Sequence, residues 1–147
     1  MIYAKNKKAR FDYEILETLE AGLMLTGSEV KSIRTGNIKL TGGFITIHNN
    51  EAYLTNAHIS KYKYSSIKNY DPERSLKLLL STKEINYLRG KSQEKGLTIV
   101  PLSVYNKDRH IKVEIGIARG KKKYDKRRVI KEREEEREVR RKMKETF

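Results

Sequence analysis

The sequence predicts a mainly β protein: an OB-fold-like antiparallel barrel with two short helices and a basic, partly disordered C-terminal tail that can become helical. Three observations lead there. Apolar and polar residues alternate along several short segments, the period of a half-buried strand. Only two segments carry a helical pattern, and they do not alternate with strands in the rhythm of parallel βαβ units. The final stretch, residues 119–147, holds 14 Lys and Arg against 7 Asp and Glu. Its apolar residues, Tyr124, Val129, Ile130, Val139, Met143 and Phe147, are too sparse for a core-facing stripe. The chain therefore divides into a basic arm over residues 1–10, a barrel over 11–118 and the tail over 119–147.

Residues 1–10 place Lys5, Lys7, Lys8 and Arg10 around Asn6 without apolar periodicity, which reads as an arm. Phe11, Tyr13 and Ile15 alternate with polar partners, so a strand begins there and runs to a turn at Glu20-Ala21-Gly22. A strand over 23–26 follows. Ser28 is the expected N-cap of a two-turn helix carrying Val30 and Ile33, which Gly36 closes in the left-handed conformation. Residues 44–48 and 52–56 alternate on either side of Asn49-Asn50-Glu51, where asparagine tolerates the positive φ of a tight hairpin. Residues 60–74 are poor in aliphatics, hold Tyr62, Tyr64, Tyr70 and Asp71-Pro72, and read as a surface loop. A strand returns over 76–80. Ser81 and Glu84 have capping-box spacing ahead of a helix with Ile85 and Leu88 on one face, ending near Gly96. Two β-rich segments, 97–101 and 102–106, then meet a hairpin at Lys107-Asp108-Arg109. Beyond it Ile111, Val113, Ile115 and Ile117 alternate with Lys112, Glu114, Gly116 and Ala118. In the tail, Glu136 with Arg140 and Glu138 with Lys142 are i,i+4 pairs that each favour helix by about 0.2 to 0.5 kcal/mol, against a costly nucleus.

Composition narrows the function. With 33 Lys and Arg against 19 acidic residues the formal charge is +14, and a polyanion, nucleic acid first, is the expected partner through counterion release. No apolar run approaches the roughly 18 residues of a membrane span, and the opening residues lack the apolar stretch of a secretory signal, so a cytoplasmic protein without membrane contact is expected. The absence of cysteine rules out disulfides, thiolate zinc sites and thiol nucleophiles. His48, His58 and His110 are too widely spaced for a ligand pair, and Arg89-Gly90-Lys91-Ser92 lacks the first glycine of a phosphate-binding loop, since position 85 is Ile85. No catalytic residues, metal or cofactor are expected. An RNA-binding adaptor and a structural ribosomal protein both fit a small basic barrel with a tail.

Ordered blocks along nearly the whole chain resemble the SsrA-binding protein family, also called small protein B, of bacterial trans-translation. They are Asn6-Lys7-Lys8-Ala9-Arg10, Glu20-Ala21-Gly22-Leu23, Leu25-Thr26-Gly27-Ser28-Glu29-Val30-Lys31-Ser32, Asn56-Ala57-His58-Ile59, Asp71-Pro72, Lys77-Leu78-Leu79-Leu80, Lys95-Gly96-Leu97-Thr98 and Gly120-Lys121-Lys122. The tail adds Tyr124-Asp125-Lys126-Arg127 and Ile130-Lys131-Glu132-Arg133-Glu134. Leu76, Asn37 and Asp108-Arg109 depart from the family's usual residues.

The resemblance implies a barrel that binds the tRNA-like domain of transfer-messenger RNA and helps bring it to stalled ribosomes, with elongation factor Tu and alanyl-tRNA synthetase acting on the same RNA. On the barrel it implies RNA contacts at Asn6, Lys7, Lys8, Arg10, Glu20, Leu79 and Lys112. Lys112 also makes physical sense alone, since it points away from the face of Ile111 and Val113, whereas a strand leucine is usually core and a turn glutamate usually solvated. For the tail it implies entry into the vacant messenger channel of the small ribosomal subunit, against 16S rRNA and near the decoding site. Lys121, Lys122, Tyr124, Asp125, Lys126, Arg127, Ile130, Lys131 and Arg133 are the residues so implied. A helix over 125–145 would span about 30 Å, with Arg133, Arg137, Arg141 and Lys144 along one stripe.

Overall fold

The computed structural model describes residues 1–121 together with 133, 134 and 137. Nine strands occur in chain order: β1 (Ile2–Lys5), β2 (Tyr13–Leu23), β3 (Ile38–Lys39), β4 (Phe44–His48), β5 (Glu51–Thr55), β6 (His58–Ile59), β7 (Leu76–Leu79), β8 (Leu97–Lys107) and β9 (His110–Gly120). Three helices interrupt them: α1 (Lys7–Asp12), α2 (Gly27–Arg34) and α3 (Thr82–Ser92). Seven strands make one sheet in the order β1-β8-β9-β2-β7-β5-β4, with every pair antiparallel. β3 and β6 form a separate short ladder, which the sequence did not announce. The sheet curls until β4 lies against β8. Gly43 marks that closure, because a Cβ there would stand 2.9 Å from the Leu40 carbonyl and 3.3 Å from the Pro101 ring. The expected mainly antiparallel, curled β architecture is what the chain adopts.

The main core lies inside the curl. Leu54, Ile59, Leu76, Leu78, Leu88, Val104, Val113, Ile115 and Ile117 are buried there, drawn from both halves of the sheet, the β3–β6 ladder and α3. Each such side chain contributes about 1.5 to 3 kcal/mol on burial. The β9 alternation sends Ile111, Val113, Ile115 and Ile117 inward, as expected. Its opposite face is not simply solvated. Gly116 and Ala118 are buried as well, because α1 lies across that face and, with Ala9, Val100 and Leu102, closes a second, smaller core on the outside of the sheet.

α1 is the first correction to the sequence reading. Residues 1–10 are not an arm: β1 pairs with β8, and the chain from Lys7 to Asp12 is helical, so β2 begins at Tyr13 instead of Phe11. Six-residue helices and short edge strands carry too few residues to show a period, and tertiary packing decides them. Residues 1–121 carry three helices, not two. The turn expected at Glu20-Ala21-Gly22 is absent: β2 runs unbroken through these residues to Leu23, and the segment after it is loop, not strand. Thr26, not Ser28, caps α2, in a full capping box with Glu29. Segments 97–101 and 102–106 are a single strand with a register shift between Pro101 and Ser103, where the missing proline N–H is accommodated. β9 also extends two residues past the expected barrel boundary, pairing Arg119 with Leu97 and Gly120 with Tyr13.

The turn chemistry of the remaining elements follows the residues. Asn49 and Asn50 adopt φ of 49° and 63° in the β4–β5 hairpin, and Asp108 and Arg109 adopt 51° and 67° between β8 and β9. Gly36 and Gly96 take positive φ after α2 and α3. Ser81 and Glu84 complete the second capping box. The 60–74 segment is a loop, pinned from below by Glu29. Its side chain is 1% exposed and accepts from the Arg74 guanidinium, from the Tyr70 hydroxyl at 3.2 Å and from the Thr26 backbone N–H at 2.9 Å. Burial pushes the Glu29 carboxyl up, but the hydrogen bond and charge of Arg74 together with the Thr26 and Tyr70 bonds outweigh it and hold the group below the usual carboxylate range. The Tyr70 hydroxyl is pushed up to about 12 by burial and by the Glu29 charge.

A group depressed in this way stabilises the fold fully above the ordinary carboxylate range, and the contribution is lost as pH falls through its folded value. Two outcomes are expected in urea titrations. Between pH 6 and pH 3 the unfolding free energy should fall less steeply in Glu29→Gln than in the parent, because the variant has no proton to take up. At pH 7, Arg74→Met should cost about 3 kcal/mol by leaving a buried carboxylate without its cation.

Candidate nucleic-acid interface

In an antiparallel sheet, residues directly opposite one another share a face. Register therefore assembles the outer surface beyond α1. One row crosses five strands: Leu79 on β7, Gly22 on β2, Lys112 on β9, Tyr105 on β8 and Ile2 on β1. The next row holds Glu20, Glu114, Ser103 and Lys5. Leu79, Lys112 and Glu20, far apart in sequence, are thus brought together. Leu79 is the exposed exception in a strand whose Leu76 and Leu78 are buried: it is 51% exposed and lies over Gly22, where a Cβ would stand 3.1 Å from its own Cβ. Glycine is what lets the leucine lie flat on the sheet.

Glu20 belongs to a strand and not to a turn, and its carboxylate has partners. It accepts from the Tyr105 hydroxyl and pairs with Lys107 at 3.3 Å. The Tyr105 bond lowers the Glu20 carboxyl most; burial opposes it, and the bond and charge of Lys107 with the charge of Lys112 leave the group below its ordinary value. Burial and the bond to Glu20 raise the Tyr105 hydroxyl. Arg10 reaches the same surface from α1 and pairs with Glu114 at 3.1 Å. Among the described residues Lys112 makes no ion pair, and it borders a groove of 190 Å³ with Leu79, Leu25, Val30, Arg34, Arg109 and His110. The Arg34 guanidinium donates to the Arg109 carbonyl at 3.4 Å, which ties α2 to the β8–β9 turn. The result is a shallow groove with cationic rims and a leucine in its wall, suited to phosphate contacts beside an apolar contact with sugar or base.

The other nominated barrel residues lie elsewhere. Lys7 and Lys8 are exposed on α1, and Lys8 borders a separate hollow of 360 Å³ with Tyr13, Gly43 and Phe44. Asn6 is only 2% exposed, so its side chain is occupied inside the protein and not presented at the surface. Its amide nitrogen donates to the carbonyls of Leu40 at 3.3 Å and Pro101 at 3.0 Å, and its oxygen accepts from the Ala9 N–H at 3.1 Å as the cap of α1. Lys121 follows β9, its N–H bonded to the Asp12 carbonyl at 2.9 Å and its ammonium to the Arg10 carbonyl at 3.2 Å. The tail positions Lys122, Tyr124, Asp125, Lys126, Arg127, Ile130 and Lys131, and most of the helix expected over 125–145, lie outside the described residues. Arg133, Glu134 and Arg137 are described as helical and exposed, and the Arg133 guanidinium carbon is 5.9 Å from the centre of the Phe11 ring.

Gly22, Arg34, Tyr105, Arg109 and His110 were not nominated as contact residues from the sequence. Gly22 carried a signal, since an isolated glycine in a strand pattern often marks close approach of another group. The rest depended on the register of β8 against β9 and on the docking of α2.

The family model described as SmpB protein matches residues 3–145. The chain belongs to the SmpB family. Its SmpB-family relatives include the SsrA-binding protein of Leuconostoc mesenteroides, 55% identical over 141 residues, covering 96% of this chain and 92% of that one. That of Streptococcus pyogenes is 52% identical over 143 residues, covering 97% and 92%. A solved structure described as "tmRNA-SmpB: a journey to the center of the bacterial ribosome" superposes with a TM-score of 0.69 at 50% identity, over 82% of this chain and 85% of that chain. The SmpB match runs through both the β body and the basic tail. Among the described residues no helix is long and apolar enough to cross a membrane.

Asn6 separates a structural from a contact role. Asn6→Ala should lower unfolding stability by about 2 to 3 kcal/mol in urea denaturation, because two buried carbonyls lose their donor and α1 loses its cap. Lys7→Ala, on the exposed side of the same helix, should stay within about 0.5 kcal/mol of the parent.

Proposed function

We propose that this SmpB-family chain is an RNA-binding adaptor of trans-translation. It binds the tRNA-like domain of transfer-messenger RNA through the outer sheet face and helps deliver that RNA to stalled ribosomes in the cytoplasm. The observation that carries the reading is the row Leu79–Gly22–Lys112, with Glu20 on the same face and the Arg34–Arg109 rim beside it. Lys112, Arg34 and Arg109 supply phosphate contacts, Leu79 supplies an apolar contact, and Glu20 holds Tyr105 and Lys107 in place. No covalent step is needed: the work is binding and presentation. Lys7, Lys8 and Arg10 add cationic contacts from α1, while Asn6 acts indirectly by fixing that helix. Elongation factor Tu and alanyl-tRNA synthetase are partners through the same RNA. The tail, with Lys121, Lys122, Tyr124, Asp125, Lys126, Arg127, Ile130, Lys131 and Arg133, enters the empty messenger channel of the small subunit and lies against 16S rRNA.

Gel-shift titration with the tRNA-like RNA tests the sheet face. Lys112→Glu should weaken binding at least about tenfold, and Lys112→Gln should reduce the slope of log affinity against log salt by about 0.9, the signature of one lost phosphate contact. Leu79→Ala should weaken binding while changing stability by less than about 1 kcal/mol, whereas a core leucine would cost about 2 to 5 kcal/mol. Equal binding by the parent and Lys112→Glu would remove Lys112 from the interface.

The tail has its own test. A stop after Lys121 keeps β9 whole and should leave affinity for the tRNA-like RNA within about threefold of the parent, with tagging of stalled peptides abolished. Loss of all RNA affinity on this truncation would contradict the division of labour.

A further inference from the structure

Residues 60–70 of the 60–74 loop take no part in the outer sheet face, and their composition is unusual for a mere connection. Residues 60–70 contain Lys61, Lys63 and Lys68, with no Asp or Glu, interleaved with Tyr62, Tyr64 and Tyr70. Tyr70 is the anchor, turned inward to Glu29 and to the Ile59 carbonyl at 3.0 Å. Tyr64 is the opposite case, 75% exposed. The Tyr62 and Tyr64 rings meet edge to face with centroids 5.6 Å apart. Lys31 of α2 stands 5.6 Å from the Tyr62 ring centre, and Lys63 stands 5.5 Å from that of Tyr64.

The loop is held in shape where it carries these groups. The Ser65 N–H donates to the Tyr62 carbonyl at 3.0 Å, and the Ile67 N–H donates to the Ser65 hydroxyl at 3.2 Å. The Ser28 hydroxyl of α2 donates to that of Ser65 at 3.3 Å, and the Ser32 hydroxyl donates to the Ser60 carbonyl at 2.6 Å. Order in the free protein lowers the entropic cost of binding, and an aromatic ring left in water at such a place has a free π-face. α2 stands between this loop and the sheet groove: Val30 and Arg34 border the groove, whereas Ser28 and Lys31 meet the loop.

We propose that residues 60–70 form a second RNA-binding site, a preorganised tyrosine–lysine platform that stacks an unpaired base on Tyr64 and holds the flanking phosphates with Lys61, Lys63 and Lys68. RNA fits better than an anionic lipid surface because the lysines alternate with the rings and Ile67 is the one aliphatic side chain between 60 and 70. A bilayer would call for contiguous apolar area, while a nucleotide chain alternates a flat base with a charge in the same way. The platform is independent of the sheet face and serves unpaired nucleotides, whichever RNA carries them.

The chain has no tryptophan, so Tyr64→Trp in the full-length protein places the sole indole at the platform. Titration with an eight-nucleotide oligoadenylate should quench that emission by about half or more, and an abasic oligomer of equal charge should leave it nearly unchanged. In the tyrosine background, Tyr64→Ala should bind the oligoadenylate about tenfold more weakly, and Tyr64→Phe within about twofold of the parent. Emission unmoved at oligoadenylate concentrations that saturate the protein, or moved equally by the abasic oligomer, overturns the stacking site. So does an emission shift with vesicles of one part phosphatidylglycerol to three parts phosphatidylcholine and none with RNA. Because the signal arises at residue 64, failure here leaves the Lys112 and Leu79 tests of the sheet face standing.

Discussion

The buried amide of Asn6 fixes the first helix to the sheet. Its backbone N–H bonds to the Leu102 carbonyl at 2.8 Å, and its side chain spends both donors on the Leu40 and Pro101 carbonyls while capping α1. Pro101 lies at the register shift of β8, where regular ladder bonding is interrupted, and a carbonyl left there without a donor would cost about 1 to 3 kcal/mol. Asn6 thus converts an interruption in a strand into an attachment point for a helix. α1 then sits where it can close the outer core and carry Arg10 to Glu114.

That helix decides how the two faces of the sheet are used. Gly116 accepts Leu102 from above, since a Cβ there would stand 2.9 Å from a Leu102 methyl carbon, and Ala118 and Val100 complete the patch. Where small residues end and Glu114, Lys112 and Tyr105 begin, the outer face passes from covered to open. Side-chain size along β9 sets the boundary between the covered and the open parts of the outer face, and Gly22 repeats the device by letting Leu79 lie against the open part.

What was legible in the sequence follows from the range of the interactions. The capping box at Ser81, the asparagine hairpin, the β9 alternation and the Gly36 terminus are signals within a few residues, and the structure carries all of them. The arm that proved to be β1 and α1 and the unbroken β2 were misjudged because their form is set by partners about a hundred residues away: β1 is a strand because β8 is there to pair with it. The site divides the same way. Lys112 could be placed outward from its neighbours alone. The exposure of Leu79 depends on Gly22 of another strand, and that of Asn6 on carbonyls 34 and 95 residues away, so local reasoning placed neither. The resemblance nominated these residues without separating surface positions from interior ones.

Part of the charge on the body is spent internally, and this bears on selectivity. Arg10, Lys77, Arg74 and Lys107 each face a carboxylate, on Glu114, Glu51, Glu29 and Glu20 respectively. Paired cations add little long-range attraction, since their fields cancel within a few ångströms and salt screens the remainder over about 8 Å. Lys112, bordering the groove with Arg34 and Arg109, is left without such a partner among the described residues. Cations held at defined places on a folded body favour one orientation of a bound polyanion over others. Residues 119–147 hold half of the net charge on a fifth of the length, and the body holds the other half. Charge fixed in place on a folded body orients a bound polyanion, while charge crowded into a short stretch of sequence adds long-range attraction.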